Sequence, residues 1–260
     1  MPLSASVREY MSSILHTLPR GVTLDHVVNL MSRLHVRHVP LVEDGRVVAV
    51  VTPEDVASQL LEEGGPAHVP VETPERPVPA VDPSASVAEA ARLMREATVD
   101  YVIVGPLTAP SGILSSRDVV RAAEGELSGV SVSSCMDEAP PSVPLDGELA
   151  EAARLLVETR VSGGYPARHV IVGVGGLPIG VVSVRDFIYY VGIKGSIEGR
   201  VADVMSPHLY YLDPASSLEE AVEEMNERDV GFLPVVYKAK VLGGVYEFTI
   251  VKAAAGGSCG

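Results

Sequence analysis

The sequence predicts an α/β fold, in detail an α+β arrangement of four β-α-β-β-α units. Three observations carry this. Four segments each hold an apolar pair seven residues apart: Leu24 and Met31, Val87 and Met94, Leu149 and Leu156, Leu218 and Met225. The second anchor leads to an apolar hairpin after nine residues in copies one, two and four (31 to 40, 94 to 103, 225 to 234) and after fifteen in copy three (156 to 171). From the hairpin to the next column the interval is twelve residues in all four copies: 40 to 52, 103 to 115, 171 to 183 and 234 to 246.

Each element follows from local pattern. Leu24, Val27, Val28 and Met31 stand at i, i+3, i+4 and i+7, as do Leu218, Ala221, Val222 and Met225, which puts one apolar face on a helix. Thr23, Ser86, Asp146 or Glu148, and Ser217 precede these helices, where a side-chain oxygen suits the unpaired N–H groups of the first turn. The β-branched runs at 39–42, 102–104, 170–172 and 233–236 are followed by turns and by second apolar runs at 47–51, 112–114, 179–182 and 241–245, the signature of a hairpin. A second helix starts at Thr52, Ser115 and Ser183. The six additional residues of copy three, 161–166, have the Gly/Ser/Pro composition of a loop. Linkers at 62–79, 124–134 and 192–200 divide the chain into expected units 1–62, 63–125, 126–195 and 196–260.

Composition excludes several classes. With 20 Lys+Arg against 34 Asp+Glu the net charge is −14, which argues against binding of a phosphate backbone. No apolar run approaches the ~18 residues of a membrane helix, and the N-terminus lacks a secretory pattern, so a cytoplasmic protein is expected. Cys135 and Cys259 form neither a disulfide scaffold nor a zinc site alone. Asn occurs twice and Gln once, a scarcity of heat-labile amides that points to a thermophile. The histidines have no ligand-spaced partners, no phosphate-cradling Gly-rich loop occurs, and no nucleophile–base set can be assembled. The expectation is therefore a non-enzyme without metal or cofactor.

The segments 49–55, 112–118 and 180–186 read Ala/Gly-apolar-apolar-Thr/Ser-x-x-Asp, and 7–12, 132–136 and 201–206 each lead to a Met. These segments resemble the signature and lead-in of CBS domains (cystathionine β-synthase domains) over about residues 5 to 252. The resemblance implies two tandem Bateman modules, each with clefts between paired copies, adenine-nucleotide ligands and a sensing role. Four copies in one chain resemble the γ subunit of AMP-activated protein kinase and its archaeal stand-alone relatives. The expected ligand is AMP, ADP or ATP and the expected partner a protein regulated by it, in a homodimer or an intramolecular disc of two modules. A ligand-free interaction scaffold and an S-adenosyl sensor are the alternatives.

A hydroxyl at a helix N-terminus stands beside free N–H groups, a natural anion site. The Asp three residues on can accept bonds from two ribose hydroxyls. The same pattern is also a capping box, and both roles can hold at once. Thr52 with Asp55, Ser115 with Asp118 and Ser183 with Asp186 are the candidate pairs. Copy four departs, with Tyr246 and Thr249 in these columns; one hydroxyl replaces a carboxylate, so binding there is not expected. Arg37-His38 and Arg168-His169 share a column that holds Asp100 and Gly231 in the other copies. Either these arginines pair a phosphate or they lie solvated along a strand edge. Thr17 and Ser142 occupy the position that, by the resemblance, flanks the base or ribose; the alternative is a strand hydroxyl bonded to backbone.

Overall fold

The computed structural model describes residues 2–161 and 163–256; Cys259 lies outside the described residues. Copy one contains β1 (Leu18–Pro19), α1 (Leu24–Leu34), β2 (Val39–Glu43), β3 (Arg46–Val51) and α2 (Pro53–Glu63). Copy two contains β4 (Ala80–Val81), α3 (Val87–Ala97), β5 (Tyr101–Val104), β6 (Gly112–Ser115) and α4 (Ser116–Ala122). Copy three, preceded by β7 (Asp137–Glu138), contains β8 (Ser142–Pro144), α5 (Leu149–Glu158), β9 (His169–Val174), β10 (Leu177–Ser183) and α6 (Val184–Lys194). Copy four contains α7 (Leu218–Arg228), β11 (Phe232–Tyr237), β12 (Lys240–Tyr246) and α8 (Glu247–Ala254). Its first strand is reduced to one parallel bridge, Leu212 to Val235.

The first helix of each copy buries the anchors identified in sequence: Leu24, Met31, Val87, Met94, Leu149, Leu156, Leu218 and Met225 are all at most 1% exposed. Ser86 and Ser217 cap their helices by accepting from Glu89 N and Glu220 N. Thr23 and Glu148 occupy the cap positions of α1 and α5 without a side-chain cap bond, so these two helices rest on packing rather than capping.

Sheets face sheets within a module. Val47 and Val50 of copy one pack against Tyr101, Ile103 and Ile113 of copy two, and Ile171 of copy three against Phe232 and Tyr246 of copy four. Helices face helices between modules. The helices α1 and α2 pack on α6 and α5, and α3 and α4 pack on α8. One core joins Leu24, Val28 and Leu60 of copy one to Leu149, Phe187 and Val191 of copy three; another joins Val87, Met94 and Val119 of copy two to Val251 and Ala254 of copy four. The apolar helix faces read from sequence thus cover one another across the chain's midpoint, closing the two modules into a single body.

The lead-in segments explain the glycine of the signature. Ser12 pairs with Ile113, Ser206 with Val181, and Asp137 with Gly244, so each segment adds an edge to the sheet of the paired copy. A Cβ on Gly112 would stand 2.5 Å from Ser12 O, on Gly180 2.5 Å from Ser206 O, and on Gly243 2.7 Å from Asp137 O. Ala49 takes this column in copy one, where no such bridge forms. Gly180→Ala is therefore expected to destabilise the protein by about 1–3 kcal/mol through overpacking, read as a lower denaturation midpoint; an unchanged midpoint would show that the bridge shifts freely.

Candidate functional site

The signature Asp closes a helix in every copy that has one. Asp55 Oδ2 accepts from Thr52 N (2.8 Å) and Oγ1 (2.9 Å), Asp118 Oδ2 from Ser115 N (2.7 Å) and Oγ (2.8 Å), and Asp186 Oδ2 from Ser183 N (2.8 Å) and Oγ (2.7 Å). In copy four Thr249 Oγ1 accepts from Tyr246 N at 3.1 Å. Capping thus consumes one oxygen and leaves the second, Oδ1, for other partners; Thr249 keeps the cap and has no second oxygen to offer.

What Oδ1 meets differs among the three copies. Asp118 Oδ1 is taken by Arg121, which also donates to Tyr10 O. Asp55 Oδ1 is taken by Arg76 at 3.0 Å. Asp186 Oδ1 has no hydrogen-bond partner among the described residues and faces a cavity of about 210 Å³ lined by Ser183, Arg185, Ser206, His208, Tyr210 and Phe232. Burial pushes the Asp186 carboxyl above its ordinary value, against the lowering effect of the Ser183 bonds.

The Arg/Asp/Gly column converges on the centre where all four copies meet. The backbone explains the convergence: the first N–H of each second helix donates to this column, Ser116 N to Asp100 O (2.8 Å), Val184 N to Arg168 O (2.9 Å) and Glu247 N to Gly231 O (3.1 Å). In copy one Pro53 stands at that helix position and has no N–H to give.

A buried charge network fills the centre. Arg37 donates to Glu247 Oε1 at 3.2 Å, Ser116 Oγ to Glu247 Oε2 at 2.5 Å, and Arg168 pairs with Asp100 (2.5 Å) and with Glu54. His38 Nε2 lies 2.8 Å from Asp100 Oδ2. Arg117 closes the C-terminus of α7, donating to Met225 O, Val230 O and Asp229. Arg37 and Arg168 are neither solvated nor free, so the strand-edge alternative fails for both: each reaches carboxylates of other copies.

Burial lowers the His169 imidazole to about 3, outweighing the pull of Glu247, so its ring is neutral and stacks on Phe232 at 5.5 Å. His38 packs against Tyr101 at 5.4 Å in the matching place of the first module. The two histidines of the Arg-His pairs therefore line the module interiors.

Beside the Asp186 cavity lies a smaller one of about 50 Å³, lined in part by Arg37, Arg117, Arg168, Arg185 and Glu247. The two share His169, Ser183, Arg185, Asp229 and Gly231. Arg185, half-buried between them, makes no hydrogen bond or ion pair among the described residues.

The CBS-domain family model matches residues 7–62, 70–125, 132–193 and 201–256. The chain belongs to the CBS-domain family. Among solved structures the chain is similar to a Methanocaldococcus jannaschii protein proposed as an archaeal homologue of g-AMPK, at 19% identity over 95% of this chain and 99% of that one, with a TM-score of 0.78. It is also similar to an uncharacterised conserved protein of Pyrococcus horikoshii, at 21% identity over 96% and 99%, with a TM-score of 0.63. At these identities the likeness concerns the four-copy fold. No curated protein matches the chain in sequence.

Within this CBS framework Thr17 and Ser142 line neither the Asp55 nor the Asp186 cavity; Ser142 instead lines a cavity of about 590 Å³ with Ile171 of copy three and Lys240 and Val241 of copy four. Thr17 is exposed ahead of β1, and Ser142 lies on β8. In each case the first strand and the strand feeding the signature helix form opposite edges of a three-stranded sheet, β1-β2-β3 and β10-β9-β8, so neither hydroxyl is brought to a signature Asp. Conversely, sequence reading passed over Glu54, Arg76, Arg117, Arg185 and Glu247. Four of these occupy the two positions between the hydroxyl and Asp columns, where a charged side chain at a buried helix start was the available signal. The copy-four CBS cleft is filled: Tyr246 is 1% exposed and packs with Phe232 at 4.6 Å, while Tyr165 of the copy-three insertion stacks on Phe248 at 4.0 Å. No helix among the described residues is long and apolar enough to cross a membrane, and no group of His, Cys, Asp and Glu among them suits a metal ion.

Proposed function

We propose that this CBS-domain protein is a sensor of adenine nucleotides and that its open site is the copy-three cleft. The observation that carries the reading is the unpartnered Oδ1 of Asp186, facing a cavity that shares its wall with the arginine-lined centre. A ribose diol bonded to Asp186 places the 5′ side of the sugar toward Ser183 at the helix start and Arg185. Phosphates then meet a helix N-terminus and a cation that has no ion pair among the described residues to give up. Phe232 and Tyr210 supply apolar surface for a base. A nucleotide so placed touches copy three, copy four and, through Arg37 and Arg117, the first module. Ligand occupancy would then be read as a change in how the modules sit together, which a regulated protein partner can recognise.

The test is calorimetric titration of the whole chain with adenosine, AMP, ADP, ATP and S-adenosylmethionine. Arg185→Ala is expected to weaken AMP and ATP by roughly 10-fold or more, the loss of a charge-assisted contact, and to leave adenosine nearly unchanged. Equal losses for all ligands would make Arg185 a packing residue. Absence of binding by every adenine ligand would leave the chain an interaction scaffold.

A further inference from the structure

We propose that Arg76, on the linker between copies one and two, is a built-in competitor that occupies the ribose position of the copy-one cleft. The inference rests on the nucleotide reading above. It starts from the acceptor capacity of Asp55. A carboxylate offers about four lone-pair sites. Here Oδ2 takes Thr52 N, Thr52 Oγ1 and Arg76, and Oδ1 takes Arg76 at 3.0 Å. No pair of acceptors remains for a vicinal diol while the guanidinium is in place.

The same guanidinium fills a second role that the backbone fills elsewhere. Ile113 O and Val181 O accept from the lead-in backbone, Ser12 N and Ser206 N, each at 2.9 Å. Val50 stands in their column, and its carbonyl accepts from Arg76 at 2.9 Å instead. Ala49, where these two copies have glycine, keeps the lead-in from closing on the strand. Module two supplies the control. Arg76 precedes Ala80 by four residues, and Pro207 precedes Tyr211 by the same number. Proline carries no charge, and Asp186 is open.

Displacement of Arg76 requires no helix or strand to break. The linker is irregular around it and is anchored upstream, where Gln59 bonds Pro70 O (2.9 Å) and Glu72 N (3.0 Å). The cleft beside this guanidinium already measures about 480 Å³ with Arg76 and Asp55 in its wall, together with Thr52, Thr98, Arg160, Tyr165 and Arg168, so a ligand can enter and meet the guanidinium before it moves. A ligand that must first displace an internal occupant binds with an affinity reduced by the fraction of open cleft. The copy-three cleft therefore fills first, and the copy-one cleft responds only at higher ligand concentration.

The experiment is calorimetric titration of the whole chain with adenosine and AMP in the Asp186→Ala background, where the copy-three cleft is silenced. Adding Arg76→Gln keeps an amide donor for Val50 O and removes the charge from Asp55. It is expected to raise affinity for both ligands at least about tenfold. Arg76→Lys retains a point charge without the bidentate fork and is expected to give a smaller gain; it also serves as the second variant if the Gln form does not fold. Unchanged or weaker binding of both ligands overturns the proposal, and so does a loss confined to AMP, which would make Arg76 a phosphate ligand. If the wild type binds through Asp186 and neither Arg76 variant gains, the competitor falls and the nucleotide reading stands. If, with Asp186 intact, adenosine binds only once Arg76 is replaced, the competitor stands and the copy-three assignment falls.

Discussion

Glu247→Ala is expected to lower stability by about 3–5 kcal/mol, the cost of removing one partner from a buried ion pair. The side chain of Glu247 is 8% exposed and that of Arg37 21%, so neither charge is rescued by water. The substitution strands the Arg37 guanidinium and the Ser116 hydroxyl at the meeting point of all four copies. Glu247→Gln is expected to cost less, because it keeps an acceptor for Ser116 while giving up the charge. The effect is read as the guanidinium chloride midpoint at unchanged slope. A midpoint equal to wild type would mean that the network contributes nothing net.

The same residue sets an acid limit. Burial alone would raise the Glu247 carboxyl, but Arg37, the Ser116 bond, Arg117 and Arg168 together outweigh it and hold it at about 2 against an ordinary 4.5. A carboxyl depressed by folding contributes stability that is complete above its unfolded value and is lost as pH falls toward its folded one. Stability should therefore decline between about pH 4.5 and 2, and Glu247→Gln should flatten that decline. An equally steep acid limb in the variant would assign it to other carboxyls.

Asp186→Ala is expected to weaken adenine-nucleotide binding by roughly 10- to 100-fold, since each charge-assisted bond is worth about 1.5–3 kcal/mol. The variant also removes the helix cap, at about 0.5–2 kcal/mol, so binding is to be compared at a temperature where both forms are folded. Adenosine should lose as much as AMP, because the diol is common to them. The raised carboxyl of Asp186 predicts that binding fades on acidification earlier than an ordinary carboxylate would allow. Equal affinity of variant and wild type would place the ribose elsewhere.

The repeat was legible because its information is local. The apolar pairs from Leu24 and Met31 to Leu218 and Met225, the hairpins and the hydroxyl-to-Asp spacing depend on periods of a few residues, and these determine the β-α-β-β-α unit and the residues that start each second helix. The departure of copy four was legible for the same reason: Tyr246 and Thr249 differ from the other copies in the acceptors they carry, whatever their surroundings. The sequence alone left the capping and ligand roles of Asp55, Asp118 and Asp186 undivided, since a capping box and a ribose site share one pattern. Only the tertiary structure shows what each oxygen meets: Oδ2 is spent on the cap, while Oδ1 stands against Arg76 in copy one, against Arg121 in copy two, and without a hydrogen-bond partner among the described residues in copy three. The partners of Arg37 and Arg168 were equally out of reach. Glu247 is 210 residues from Arg37 and Asp100 is 68 from Arg168, and such pairs form only when apolar helix faces of one module close on those of the other. The sequence determined which side chains recur at each column; the association of four copies about one centre decided which of them meet, because burying the helix faces brings together charges that no local pattern connects.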